Sequence, residues 1–166
     1  RLNLTNGGTT VIDATNIAGA NEIAIITNTT QATVSNLAAA QTVALGTFNT
    51  DGAYGGILVT SLADETGTED SVTINLNDTN GATTNAVTLQ ATAIETVNLV
   101  VVDKTDTSNA NHTLTVTALN AATITVAGSD ADAGNTLSLG TLDTDTTTID
   151  ASGYFGILTA TAGTGT

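Results

Sequence analysis

The chain has 166 residues, with 16 acidic side chains against two basic ones, Arg1 and Lys104, for a formal charge of -14. So few cations exclude nucleic acid as a partner, because its recognition depends on Lys and Arg neutralising phosphate, and they disfavour anionic membrane surfaces. Hydrophobic residues make up 40% of the chain and aromatics 2%, so the apolar content is Ala, Val, Ile and Leu, and the core must be thin and regular rather than closed around large rings.

Taken in order, Leu2–Leu4 predicts a short strand, and Asn6-Gly7-Gly8 a turn. Val11-Ile12 is the next strand, followed by Ile23-x-Ile25 and, led in by Leu37, Val43-x-Leu45. Short alternating runs continue at Ile57–Val59, Val72–Leu76, Val87–Leu89, Val97–Val101, Leu114–Val116, Ile124-x-Val126, Leu137–Leu139, Ile149 and Ile157–Thr159. Asn, Asp, Gly, Ser and Thr fill the gaps. No window carries a helical period, and Ala38-Ala39-Ala40 is too short to form a helix.

The chain also echoes itself. Thr147–Ala160 (TTIDASGYFGILTA) is answered near the start by Thr9–Gly19 (TTVIDATNIAG), with Ile12, Asp13 and Ala14 matching Ile149, Asp150 and Ala151. Tyr54–Leu58 (YGGIL) matches Tyr154–Leu158 (YFGIL), and Leu45–Asp51 (LGTFNTD) matches Leu139–Asp145 (LGTLDTD). Degenerate echoes of a whole strand-turn-strand unit belong to chains that stack one unit on the next. The expected fold is therefore all-β: a right-handed parallel β-solenoid, or β-helix, with short strands and Asn/Asp/Gly/Thr turns, forming a single repeat-built domain over residues 1–166. The alternative is a β-sandwich, for which Asn6-Gly7, Asp51-Gly52 and Asn80-Gly81 offer hairpin signals. With no initiator Met, signal peptide or bilayer-length apolar run, the sequence reads as a piece of a longer protein.

The segment LGTLDTDTTTIDASGYFGILTATA, from Leu139 to Ala162, resembles the repeats of RTX-related bacterial surface-layer proteins secreted by the type I route. In those a Thr-x-Ile-Asp-Ala-Ser/Thr phrase runs into Gly-x-Leu-Thr strands. The resemblance is clearest over Leu139–Ala160 and fainter at Thr9–Gly19 and Leu45–Thr60. It implies a calcium-dependent solenoid that self-assembles into a coat on the bacterial cell surface. The RTX nonapeptide G-G-x-G-x-D-x-U-x is not intact anywhere in this chain.

Candidate chemistry is limited to carboxylates. In Gly128–Asn135 (GSDADAGN), Asp130 and Asp132 can present oxygens to one cation, with Asn135 completing the shell; calcium is the expected ion. Asp64, Glu65, Glu69 and Asp70, in LADETGTED, form the densest acidic cluster and a second calcium candidate. Asp103 with Asp106, and Asp143 with Asp145, are weaker pairs. Asp13 and Asp150 are expected to accept backbone amides at strand ends instead. His112 is the sole histidine and there is no cysteine, which argues against zinc and against a Ser-His-Asp triad through Ser108. The few aromatics, Phe48, Tyr54, Tyr154 and Phe155, are expected to pack or fill corners rather than bind sugar.

These features predict no enzyme. They predict a structural, self-assembling extracellular protein, a lattice or filament subunit, with copies of itself, calcium and cell-surface polysaccharide as partners. The competing expectation is a stalk or binding module of a large adhesin, its loop at Asp103–Asn111 (DKTDTSNAN) carrying recognition.

Overall fold

The computed structural model describes residues 1–5, 8–27, 30–46, 55–78, 85–103, 111–119, 121–128 and 136–163. Among these residues fourteen strands are formed: β1 (Leu2–Thr5), β2 (Thr10–Asp13), β3 (Glu22–Thr27), β4 (Gln31–Leu37), β5 (Thr42–Leu45), β6 (Gly55–Leu62), β7 (Ser71–Asp78), β8 (Asn85–Thr92), β9 (Thr96–Asp103), β10 (Asn111–Leu119), β11 (Thr123–Gly128), β12 (Thr136–Thr141), β13 (Thr148–Gly153) and β14 (Ile157–Thr161). One single-turn 3-10 helix, Ala14–Asn16, follows β2.

The odd-numbered strands make one seven-stranded sheet in the order β1-β3-β5-β7-β9-β11-β13. The even-numbered strands make the other, β14-β12-β10-β8-β6-β4-β2. Every pairing is parallel and joins strands two apart in sequence. The chain therefore winds: each coil lays one strand in each sheet and then stacks on the coil before it. This is a parallel β-solenoid. The antiparallel sandwich is excluded, and its hairpin signals at Asn6-Gly7, Asp51-Gly52 and Asn80-Gly81 lie outside the described residues.

Alternation decides which side chains face inward, because successive residues of a strand point to opposite faces. Stacking in register turns the inward positions into continuous aliphatic rows. Leu2, Ile23, Val43, Ile74, Leu99 and Val126 form one. Leu4, Ile25, Leu45, Leu76 and Val101 form the next. Across the interior, the second sheet contributes the Ala32–Leu58–Leu89 row. Ile23, Leu58, Ile74, Leu89, Leu99, Ile124, Leu137 and Leu139 are all below 2% exposed. Full burial of each such side chain contributes about 1.5–3 kcal/mol, so the rows are the main cohesive element.

Corners are held by coil-to-coil hydrogen bonds rather than by proline or disulfides. Gln41 donates through Nε2 to the Ala20 and Ile17 carbonyls of the previous coil, 3.0 and 3.3 Å, while its Oε1 accepts from the Ala38 amide at 2.9 Å. The Glu95 and Thr96 amides both donate to the Asp70 carbonyl, and the Thr147 and Thr148 amides to Ala122. Left-handed backbone at Asn36 (φ 58) and Ala93 (φ 54) turns the chain near the ends of β4 and β8.

Candidate functional site

Four aspartates share one local geometry. Asp13 Oδ1 accepts from the Thr15 amide at 3.0 Å, Asp64 Oδ1 from Thr66 at 3.1 Å, Asp143 Oδ1 from Asp145 at 3.1 Å, and Asp150 Oδ1 from Ser152 at 3.0 Å. A carboxylate that satisfies the amide two residues on stabilises a turn without any ion. Asp13 also accepts from Asn36 Nδ2 at 2.9 Å, which ties the first coil to the second. The expectation that Asp13 and Asp150 cap backbone thus holds, and the same device serves Asp64 and Asp143.

These hydrogen bonds favour the charged form. The Asn36 amide, with the Thr15 hydroxyl and amide, holds the Asp13 carboxyl below its ordinary value. The Thr66 hydroxyl does so for Asp64, and the Ser152 amide for Asp150.

The acidic cluster of LADETGTED forms the loop between β6 and β7. Within it Asp64, Glu65 and Asp70 each accept from a different backbone amide. Glu65 Oε1 accepts from the Leu62 amide at 3.0 Å, closing the end of β6. Asp70 Oδ2 accepts from Gly67 at 3.2 Å, and the Asp70 amide donates to Glu95 Oε2 of the next coil at 2.9 Å. Asp64, Glu69 and Asp70 border a surface recess of about 390 Å³ whose apolar wall is Leu37 and Leu62. Asp64 and Asp70 are oriented toward backbone amides, and no group of three or more acidic or histidine side chains among the described residues converges as a metal-holding set. The other predicted calcium residues, Asp130, Asp132 and Asn135, lie outside the described residues, as do Lys104, Asp106 and Ser108. His112 is on β10, in register with Asn85 and Leu137.

Of the aromatics, Tyr154 is half-buried, packs on the core and lies so close to Gly128 that a Cβ there would meet its ring at 2.9 Å. Phe155 departs from the expected packing role: it is 70% exposed. Tyr154 turns in under the coil, and its chain neighbour is thereby directed outward. Tyr54 and Phe48 lie outside the described residues.

A polar strap on the outer face of the first sheet was not anticipated. Arg1 Nε lies 3.1 Å from Glu22 Oε1 and 2.8 Å from Asn3 Oδ1, and its terminal nitrogen donates to the Gly46 carbonyl. Asn75 Nδ2 donates to Glu22 Oε2 at 2.8 Å. Since β5 lies between β3 and β7, the Asn75 amide reaches across it, where Ala44 leaves room. Ala24 and Ala44 are fully buried yet stand apart from the interior cluster. The sequence signal for this strap was the separation of Arg1 and Glu22 by one coil, as between Leu2 and Ile23.

What the described surface offers is turn-closing carboxylates and hydroxyl-bearing sheet faces. No family model matches the chain, and neither a curated protein nor a solved structure matches it.

Proposed function

We propose that this chain is a structural protein of a bacterial cell surface, which associates with copies of itself into a lattice or filament outside the cell. The observation that carries this reading is the solenoid itself, in which fourteen short parallel strands among the described residues stack into two regular sheets of repeated coils. Uncompensated charge of -14 is the second support, because copies crowded side by side repel unless cations lie between them. Calcium, a hard cation suited to carboxylate and carbonyl oxygens, is the ion we propose for that role. Polysaccharide of the cell envelope is the proposed anchor.

Light scattering of the purified chain, with calcium and with a chelator, tests the reading. Association that grows with protein concentration and is strengthened by calcium supports it. A chain that stays monomeric in both conditions at every concentration overturns it.

A stalk or binding module of a larger adhesin is the second reading. Uneven winding favours it: from Ile23 to Val43 the coil takes 20 residues, from Val43 to Ile74 it takes 31, so some corners carry extra chain that could be used for recognition.

A further inference from the structure

The two sheets differ in where they keep charge. Of the seven described strands of the second sheet, only β2 contains an Asp, Glu, Lys or Arg, which is Asp13 at its end. The outer face of the first sheet carries Arg1, Glu22 and Asp150. Other acids gather in the corners, as in Asp64–Asp70 after β6, Glu95 after β8 and Asp143 after β12. A molecule of formal charge -14 thus keeps one broad neutral side among its described residues.

Register makes that side regular. Thr33 pairs with Val59, Val59 with Gln90, and Gln90 with Thr117. Two residues back along each strand, Gln31 pairs with Ile57, Ile57 with Thr88, and Thr88 with Thr115. No register shift interrupts the pairing of β6, β8 and β10. Leu58 and Leu89 are fully buried, so the positions that alternate with them, Ile57, Val59, Thr88 and Gln90, face outward. The first three are half-buried and Gln90 is exposed. Gln31 Nε2 donates to Thr33 Oγ1 at 3.2 Å, which lays that amide along the strand rather than letting it project. Two β-branched aliphatic side chains are therefore ringed by hydroxyls and amides, the apolar middle and polar rim of an interface.

We propose that this outer face of the second sheet is where two copies of the chain meet, sheet against sheet about a two-fold axis. The inference deepens, and rests on, the self-association proposed above. Electrostatics selects the face. Corner against corner, two copies oppose carboxylate to carboxylate, whereas here neither copy brings charge to the contact. The area is sufficient: seven strands about 4.8 Å apart and on average about 20 Å long cover roughly 700 Å², close to the roughly 800 Å² that each partner gives to a stable complex. Short side chains let the two sheets approach to about 10 Å. The acidic corners then lie along the margin of the seam, where the proposed cations act. A face that meets its own copy closes at two, so the pair is the building unit of any larger array.

Sedimentation equilibrium in the presence of calcium is the test. Val59→Glu sets a carboxylate from each copy in the seam and should weaken pairing roughly thirtyfold or more. Thr88→Glu, on the adjacent strand, should do the same. Thr73 alternates with the buried Val72 and Ile74 on the outer face of the first sheet; Thr73→Glu adds the same charge there and should change pairing by no more than about fivefold. Far-UV circular dichroism verifies that each variant keeps its strands, and Thr88→Glu, which removes nothing from the core, serves even where Val59→Glu fails to fold. Pairing that survives Thr88→Glu undiminished overturns this face and leaves self-association through another surface standing. An equal loss in Thr73→Glu also overturns it, since total charge rather than position then governs. A parent chain that is single at every concentration overturns both the face and the self-association it rests on.

Discussion

Gly46 lies directly against the backbone of Asn77: a Cβ on the glycine would sit 2.7 Å from the Asn77 carbonyl oxygen. Gly46 also takes φ +84, a conformation that side chains resist. Gly19 has nearly the same angle, φ +82, but nothing within 4 Å of its would-be Cβ. The two positions separate backbone strain from collision. Gly19→Ala should cost roughly 1–2 kcal/mol, and Gly46→Ala roughly 1–3 kcal/mol more, through overpacking. Urea unfolding of both variants measures the difference; equal losses would show that the strand ends move apart freely.

Asn77 itself is 4% exposed, and neither its amide nitrogen nor its amide oxygen has a hydrogen-bond partner among the described residues. A buried polar group without a partner costs about 1–3 kcal/mol. Asn77→Leu, branched at Cγ like the amide and better suited to a strand, should raise stability by about 1 kcal/mol. A lower unfolding midpoint would show that the amide is satisfied in solution.

Position along the stack should set the energetic weight of equivalent core residues. Leu99 is fully buried, with coils on both sides, and Leu99→Ala should cost about 2–5 kcal/mol. Ile149 is half-covered, and Ile149→Ala should cost roughly 1 kcal/mol. Amide hydrogen exchange should follow the same gradient, slowest in β7, β9 and β11 and fastest in β1 and β13. Uniform protection along the stack would contradict it.

Acid stability follows from the turn-closing aspartates. Asp13, Asp64 and Asp150 are all held below the ordinary 3.8 by hydrogen bonds that exist only in the fold. Protons therefore bind the unfolded chain more readily. The stabilisation is complete above that ordinary value and is lost as the pH falls through the lower values of the folded state. Asp13→Asn retains an oxygen for the Thr15 amide but does not titrate, so its stability should change less with pH. Unfolding midpoints collected between about pH 2 and pH 6 should show a shallower acid limb than the parent; an identical limb would remove Asp13 from the account.

Strand positions were legible because alternation survives in a chain of short aliphatic runs. Val72–Leu76 and Val97–Val101 sit squarely inside β7 and β9. β4 was missed, since its inward residues are Ala32 and Val34 followed by a left-handed Asn36, so the apolar signal is weak and then broken. Register was hidden for a different reason: coil length varies, and no fixed period exists to be counted. At the acidic loop, composition showed a cluster of carboxylates but could not show that Asp64, Glu65 and Asp70 are each turned toward a backbone amide.

The echoes carry a consequence for how such a chain can grow. Ile12-Asp13 ends β2 in the second sheet, with Ala14 opening the 3-10 turn, and Ile149-Asp150-Ala151 runs through β13 in the first, yet in both the aspartate accepts the amide two residues on. Leu45-Gly46 and Leu139-Gly140 likewise sit in opposite sheets, with both glycines left-handed. One strand with its corner is thus a module that either side of the molecule accepts. Duplicating a single module would transfer every later strand to the other side without altering its local conformation, so the surface displayed at any height could be exchanged front for back in one genetic step.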